Sequence, residues 1–196
     1  MLSAKKIALI SIFTALLIGG QIVLSGISGV EVVTVLLLSF SFYFGIEMGL
    51  LVANAFSILR CFVFGFFLNV LILYLVYYNI FVVVFGLLGR RFKRQLGLYH
   101  HAILVAVAVL MTAFFTVLDN AIATFYYSFS WEAAKRYYLL SLTAAIPQVI
   151  CTLITVMLLL PVLVKIYTAT NFTEKDKKLI SKELEDNELE NKDKEE

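Results

Sequence analysis

A short polar segment interrupts a sequence that is otherwise almost entirely apolar. Residues 28–35 place the carboxylate of Glu31 and the hydroxyl of Thr34 next to Gly29. A charged side chain within a membrane segment costs roughly 2.5–3.5 kcal/mol on insertion scales, so Glu31 is expected to have a function. The alternative is that Glu31 lies at a helix end and extends to the membrane surface.

The composition indicates an integral membrane protein. Of 196 residues, 61% are hydrophobic and 15% charged, and the mean hydropathy is +0.93, outside the usual range of soluble domains. Residues 1–170 carry ten basic and four acidic side chains (net +6), and residues 171–196 carry six and ten (net −4). This division predicts a membrane domain at 1–170 and a charged cytoplasmic tail at 171–196, solvated as a helix or disordered.

The apolar stretches predict six transmembrane helices, because a helix needs about 20 apolar residues to cross the hydrocarbon. The expected spans are 7–24, 30–44, 47–64, 68–88, 102–126 and 138–167, the third and fourth separated by a break near 65–69. Pro147 and Pro161 are expected to bend or end the sixth span. No strand-like alternation occurs, so the predicted fold is all-α.

Basic residues predict the orientation of these spans. Seven fall on one side under this count and three on the other, so the positive-inside rule makes both termini cytoplasmic. The seven are Lys5, Lys6, Arg90, Arg91, Lys93, Arg94 and Lys165, and the three are Arg60, Lys135 and Arg136.

The polar residues within the spans are then concentrated toward the outer side, where many aromatic residues also lie. They are Glu31, Thr34, Arg60, Asp119 and Asn120. Apolar and aromatic walls with a few polar groups are typical of a small-molecule pocket. The alternative is an interfacial aromatic belt with a structural ion pair between Arg60 and either Asp119 or Glu31.

Small residues recur on one face of the first span, at intervals of four, three, four and four. They are Ala4, Ala8, Ser11, Ala15 and Gly19. Such a stripe lets another helix approach closely in a membrane. It could serve either packing within the chain or docking to a separate subunit.

Several kinds of catalytic or energy-coupling chemistry have no sequence signature here. No GxxxxGK[ST] or HExxH occurs, and no Cys or His pair has metal-ligand spacing. No metal site, cofactor or nucleic-acid partner is expected, and the residues suit binding rather than enzymatic catalysis.

Four segments of the membrane part match the pattern of a known family. They are Ala15-Leu16-Leu17-Ile18-Gly19, Gly29-Val30-Glu31-Val32-Val33-Thr34, Phe44-Gly45-Ile46-Glu47-Met48-Gly49, and the stretch from Ala145-Ile146-Pro147-Gln148 to Leu160-Pro161-Val162-Leu163. In these segments, and over almost its whole membrane part, the chain resembles the substrate-binding S component of an energy-coupling factor (ECF) vitamin transporter. The second of the four segments resembles a Pro-Asn-Val-Glu-x-Val-Thr segment of one branch, with Ser28-Gly29 in place of Pro-Asn.

The resemblance implies a subunit of a bacterial plasma membrane importer. It would capture a vitamin or related micronutrient outside, dock onto a T component that carries two ATPase subunits, and topple in the lipid bilayer to release the substrate inside. The implied substrate-binding residues are Glu31, Thr34, Asn54, Arg60, Asp119, Asn120 and Trp131, and the implied docking residues are Ala8, Ser11, Ala15 and Gly19.

Two other classes of function stay open on the sequence. A stand-alone secondary carrier or channel for a small organic solute would use Arg60 and Asp119 as coupling charges. In a membrane scaffolding protein, the outer polar groups would only pair with one another.

Overall fold

The structure, a computed structural model, describes residues 4–27, 30 and 32–169. These residues form six α-helices and no strand, which confirms the all-α prediction for this part of the chain. The helices are α1 (Ala4–Leu24), α2 (Val33–Phe44), α3 (Ile46–Phe64), α4 (Leu68–Arg91), α5 (Leu98–Tyr126) and α6 (Trp131–Ala169).

Five of the six helices are long and apolar enough to cross a membrane, as in a multi-pass membrane protein. The exception is α2, which has 12 residues and a length of about 18 Å at 1.5 Å per residue. The predicted break between the third and fourth spans is confirmed, because residues 65–67 lie outside α3 and α4. Glu31 and residues 170–196 lie outside the described residues.

The short helix α2 is the centre of the bundle. Ten of its 12 residues are buried, and it packs against α1, α3, α4 and α6. A single residue, Gly45, joins α2 to α3 with φ +93°, a conformation that L side chains rarely adopt. The helix is therefore short but enclosed, unlike α1, where only Phe13, Thr14 and Leu17 are buried.

The helices alternate in direction, so the bundle has two ends of different composition. The aromatic end comprises the loop at residues 65–67 and the α5–α6 loop at residues 127–130. The basic end comprises the α4–α5 loop, where Lys93 and Arg94 have positive φ. Arg94 and Lys165 line one groove at this end, which brings the predicted cytoplasmic cations of two segments together.

The sixth helix differs from its prediction at both ends. It begins seven residues before the expected 138 and extends to Ala169, with Pro147 and Pro161 inside it. The alternative that either proline ends the helix is therefore wrong, and a bend at these prolines stays a prediction. A proline removes one backbone hydrogen bond, but membrane helices tolerate this because neighbouring helices and Ser or Thr side chains can satisfy the freed carbonyl group.

Candidate functional site

A cavity of about 380 Å³ lies between α5 and α6 toward the aromatic end. Asp119 contributes a partly buried carboxylate, and the Tyr137 hydroxyl donates to Asp119 Oδ2 at 3.5 Å. The remaining lining residues are polar or small to medium in size, with one aromatic ring. They are Phe115, Thr116, Leu140, Ser141, Ala144, Ala145 and Gln148.

Helical periodicity brings these residues to one surface. On α5, Phe115 and Asp119 are four residues apart and therefore lie on one face. The α6 residues of the lining follow intervals of three and four from Tyr137 to Gln148, which again defines one face. The two faces meet because α5 and α6 are joined by a short loop and pack along their length.

A second polar cluster at the aromatic end surrounds Arg60. Its guanidinium carbon lies 4.3 Å from the ring centre of Tyr74 and 5.1 Å from that of Phe64. Gln21 donates from Nε2 to the Tyr74 hydroxyl at 3.3 Å. Aromatic rings attract a cation through their quadrupole, worth about 0.5–2 kcal/mol or more, and among the described residues these rings are the groups that stabilise the Arg60 charge.

Two buried polar atoms of this cluster have no hydrogen-bond partner in the described part of the chain. They are Arg60 Nε and Gln21 Oε1. Tyr74 connects the cluster to the cavity, because its ring packs against that of Phe115 in a T-shaped arrangement, with the ring centres 6.0 Å apart. The unsatisfied N–H donor of Arg60 and the unsatisfied amide oxygen of Gln21 are thus separated from the cavity-lining Phe115 by the Tyr74 ring.

The ion pair between Arg60 and Asp119 that the sequence left open does not form among the described residues. Arg60 contacts rings of α3 and α4, whereas Asp119 contacts Tyr137 of α6. The other proposed pair, between Arg60 and Glu31, involves a residue outside the described range.

Asn120 follows Asp119 in sequence but has different neighbours. Its Nδ2 donates to Thr116 O at 2.7 Å and to Ser141 Oγ at 2.8 Å, and its side chain is buried. It lines a separate groove of about 760 Å³ that also includes Trp131 and Lys135. Asp119 and Asn120 therefore line different depressions on the α5–α6 pair.

Trp131 is 73% exposed, and Lys135 Nζ lies 4.9 Å from its ring centre. It lines the second groove and is not among the lining residues of the Asp119 cavity. In this arrangement Trp131 does not stack over the cavity.

Asn54 and Thr34, two other predicted binding residues, lie elsewhere. Asn54 exchanges two hydrogen bonds with Asn79 of α4, at 3.2 and 3.1 Å, and each Nδ2 also donates to the carbonyl four residues earlier in its own helix. This pair joins α3 to α4. Thr34 is buried in the first turn of α2.

The small-residue stripe of α1 faces away from the bundle. Ala8, Ser11 and Ala15 are exposed, and a Cβ atom added to Gly19 would meet nothing within 4 Å. The buried residues of α1 lie on its other face. Among the described residues, no other helix packs against the stripe, which favours docking to a separate subunit over packing within the chain.

Sequence reasoning missed most residues of these clusters, among them Gln21, Tyr74, Phe115 and Gln148. Phe115 and Gln148 could have been found by stepping three or four residues from Asp119 and Tyr137 along their helices. Nothing in the sequence alone indicated that Tyr74 contacts Arg60 or that Gln21 donates a hydrogen bond to Tyr74.

Comparisons with protein-family models, curated proteins and solved structures give no match for this chain. Its function therefore has to be inferred from its own residues and their geometry.

Proposed function

We propose that this chain is the substrate-capture S subunit of an ECF-type importer in a bacterial plasma membrane. All six helices would cross the bilayer with both termini cytoplasmic. The aromatic end would bind a vitamin-like molecule outside the cell, and α1 would dock onto a T component that carries two ATPase subunits. Toppling on docking would then release the substrate inside.

The observation that carries the proposal is the exposed stripe on α1. Ala8, Ser11 and Ala15 occupy a face that none of the six described helices covers. Lipid offers no hydrophobic drive for helix association, so close packing through small residues is the usual way for two membrane helices to bind. An exposed small-residue face is therefore expected where a membrane partner docks.

The site at the aromatic end supports the capture half of the proposal. Polar groups that would be costly in lipid lie beside a cavity, and the cations of the basic end lie at the other end of the bundle. In the proposed orientation, with the basic end cytoplasmic, the cavity would lie toward the outer side of the membrane.

The sequence is also compatible with separate energy-supplying subunits. Its 196 residues hold no GxxxxGK[ST] segment, and in the proposed importer the two ATPase subunits would hydrolyse ATP. A binding unit that docks by α1 is compatible with this arrangement.

The test is co-purification. An affinity-tagged chain is extracted in mild detergent from cells that express it from its own locus, and the associated proteins are identified by mass spectrometry. We expect an integral membrane protein and ATPases bearing GxxxxGK[ST]. The double variant Ala15→Leu with Gly19→Leu is expected to lower the complex yield at least roughly tenfold, the effect of losing 1.4 kcal/mol.

The matched control is Ala113→Leu, the same type of change at an exposed residue of α5. An unchanged complex yield in the α1 double variant, or an equal loss in the control, would contradict the docking role of α1. Uptake that persists on an ion gradient in cells lacking the ATPases would instead favour the stand-alone carrier.

A further inference from the structure

We infer that the Asp119 cavity binds a planar, positively charged, N–H-donating group of its substrate, such as a protonated amino-heterocycle or an amidinium. This inference rests on the proposed function, whose substrate it narrows by charge and shape. The inference excludes substrates in which the group that enters the Asp119 cavity is anionic or neutral.

The first step is that Asp119 has no positive partner among the described residues. Its hydrogen bond is from the Tyr137 hydroxyl at 3.5 Å, longer than the usual 2.5–3.0 Å for two oxygens. In the described part of the chain, Arg136 is exposed and forms no ion pair with Asp119, and the other two basic residues of the aromatic end contact aromatic rings. Arg60 contacts Tyr74 and Phe64, and Lys135 lies over a ring that lines the other groove.

The second step concerns the cost of that carboxylate. A partly buried charge near the membrane edge is costly unless an opposite charge or strong donors compensate it. A neutral ligand would leave Asp119 uncompensated and an anionic ligand would be repelled. A cationic N–H donor would form a charge-assisted hydrogen bond, roughly twice as strong as a neutral one.

The third step is the shape of the cavity. At about 380 Å³ it lies at the small end of the range for ligand sites, enough for one ring system with short substituents. Phe115 and Tyr137 provide aromatic surface, whereas Ala144 and Ala145 leave space that a larger side chain would fill. Aromatic rings also favour a cation over a neutral ring, which adds to the preference that Asp119 sets.

The experiment uses two probes of nearly equal shape that differ in charge, benzamidine and benzamide. Binding to the purified full chain in detergent is measured by calorimetry for wild type, Asp119→Asn and the control Glu132→Gln, an exposed carboxylate in the first turn of α6 outside the cavity. We expect wild type and Glu132→Gln to prefer benzamidine at least roughly tenfold, or 1.4 kcal/mol. In Asp119→Asn the preference should vanish.

A second variant, Ala144→Leu, tests the location by filling the cavity, and it should abolish binding of both probes. Thermal unfolding of each variant verifies that it is folded. If wild type binds the two probes equally, binds neither, or keeps its preference in Asp119→Asn, the inference is overturned.

These outcomes are separate from those of the proposed function. If the docking complex forms normally but the preference for benzamidine over benzamide is missing, only the inferred cationic substrate class is contradicted. A preference that depends on Asp119, found together with no docking partner, would support the cationic site and contradict the ECF assignment.

Discussion

Replacing Gly89 by alanine should destabilise the bundle, because this glycine lies where α4 crosses α2. A Cβ atom at Gly89 would lie 2.9 Å from the carbonyl carbon and 3.0 Å from Cα of Phe42, and closer still to its carbonyl oxygen. Carbon atoms in good contact lie about 3.5–4.0 Å apart, so the two backbones would have to separate by at least roughly 0.5 Å. The obstacle is backbone, which no side-chain rotation can relieve.

Two opposing contributions set the size of the change in the free energy of unfolding. Overpacking a tight core costs about 1–3 kcal/mol, and the upper part of that range applies to a clash with backbone. Alanine in a helix interior is favoured over glycine by about 0.8–1 kcal/mol. The expected net change for Gly89→Ala is a loss of about 1–2 kcal/mol in the free energy of unfolding.

The control is Gly19→Ala, since a Cβ at Gly19 meets open space. This variant should keep only the propensity gain and be as stable as wild type or up to about 1 kcal/mol more stable. Equilibrium unfolding in mixed detergent micelles, followed by circular dichroism, measures both variants. If Gly89→Ala proved as stable as Gly19→Ala, the close approach of α2 and α4 would be refuted.

Two further predictions concern side chains whose sequence-based role was substrate binding. In a double-mutant cycle, Asn54→Ala and Asn79→Ala should show a coupling energy of about 0.6–1.7 kcal/mol in unfolding, as for hydrogen bonds between membrane helices. Neither single variant should change the benzamidine affinity, and a large affinity loss would restore Asn54 to the binding site. Trp131→Ala should likewise leave benzamidine binding within about twofold, a difference of roughly 0.4 kcal/mol, because Trp131 lines the other groove. Calorimetry that found a tenfold loss would contradict this separation.

The helices were predictable because their signals are local. Apolar length located five long helices, and the glycine at position 65 marked the break between two of them. The start of α6 was missed because residues 131–137 include Glu132, Lys135 and Arg136, which an apolar-length criterion excludes. A helix can nevertheless continue beyond the hydrocarbon, where such side chains are solvated.

The site was predictable in composition but not in arrangement. Asp119 and Asn120 are adjacent, yet successive residues of an α-helix point about 100° apart, so the pair could not line one surface equally. From the sequence alone, Asn54 could not be distinguished from a ligand-binding amide. Its hydrogen bonds to Asn79 became apparent only when α3 was placed beside α4. Knowing which faces meet requires the packing of the helices, which no single segment encodes.

The same packing explains why Arg60 and Asp119 stay apart. Helix α4 packs against both α3 and α5, and it contributes Tyr74, whose ring contacts both the Arg60 guanidinium and the Phe115 ring. Aromatic side chains of α4 and α5 thus connect the surroundings of the two charges, and among the described residues the rings stabilise the cation while the carboxylate has no counter-ion. In the inferred cationic site, this arrangement would keep Asp119 available to a ligand, which a direct ion pair would prevent.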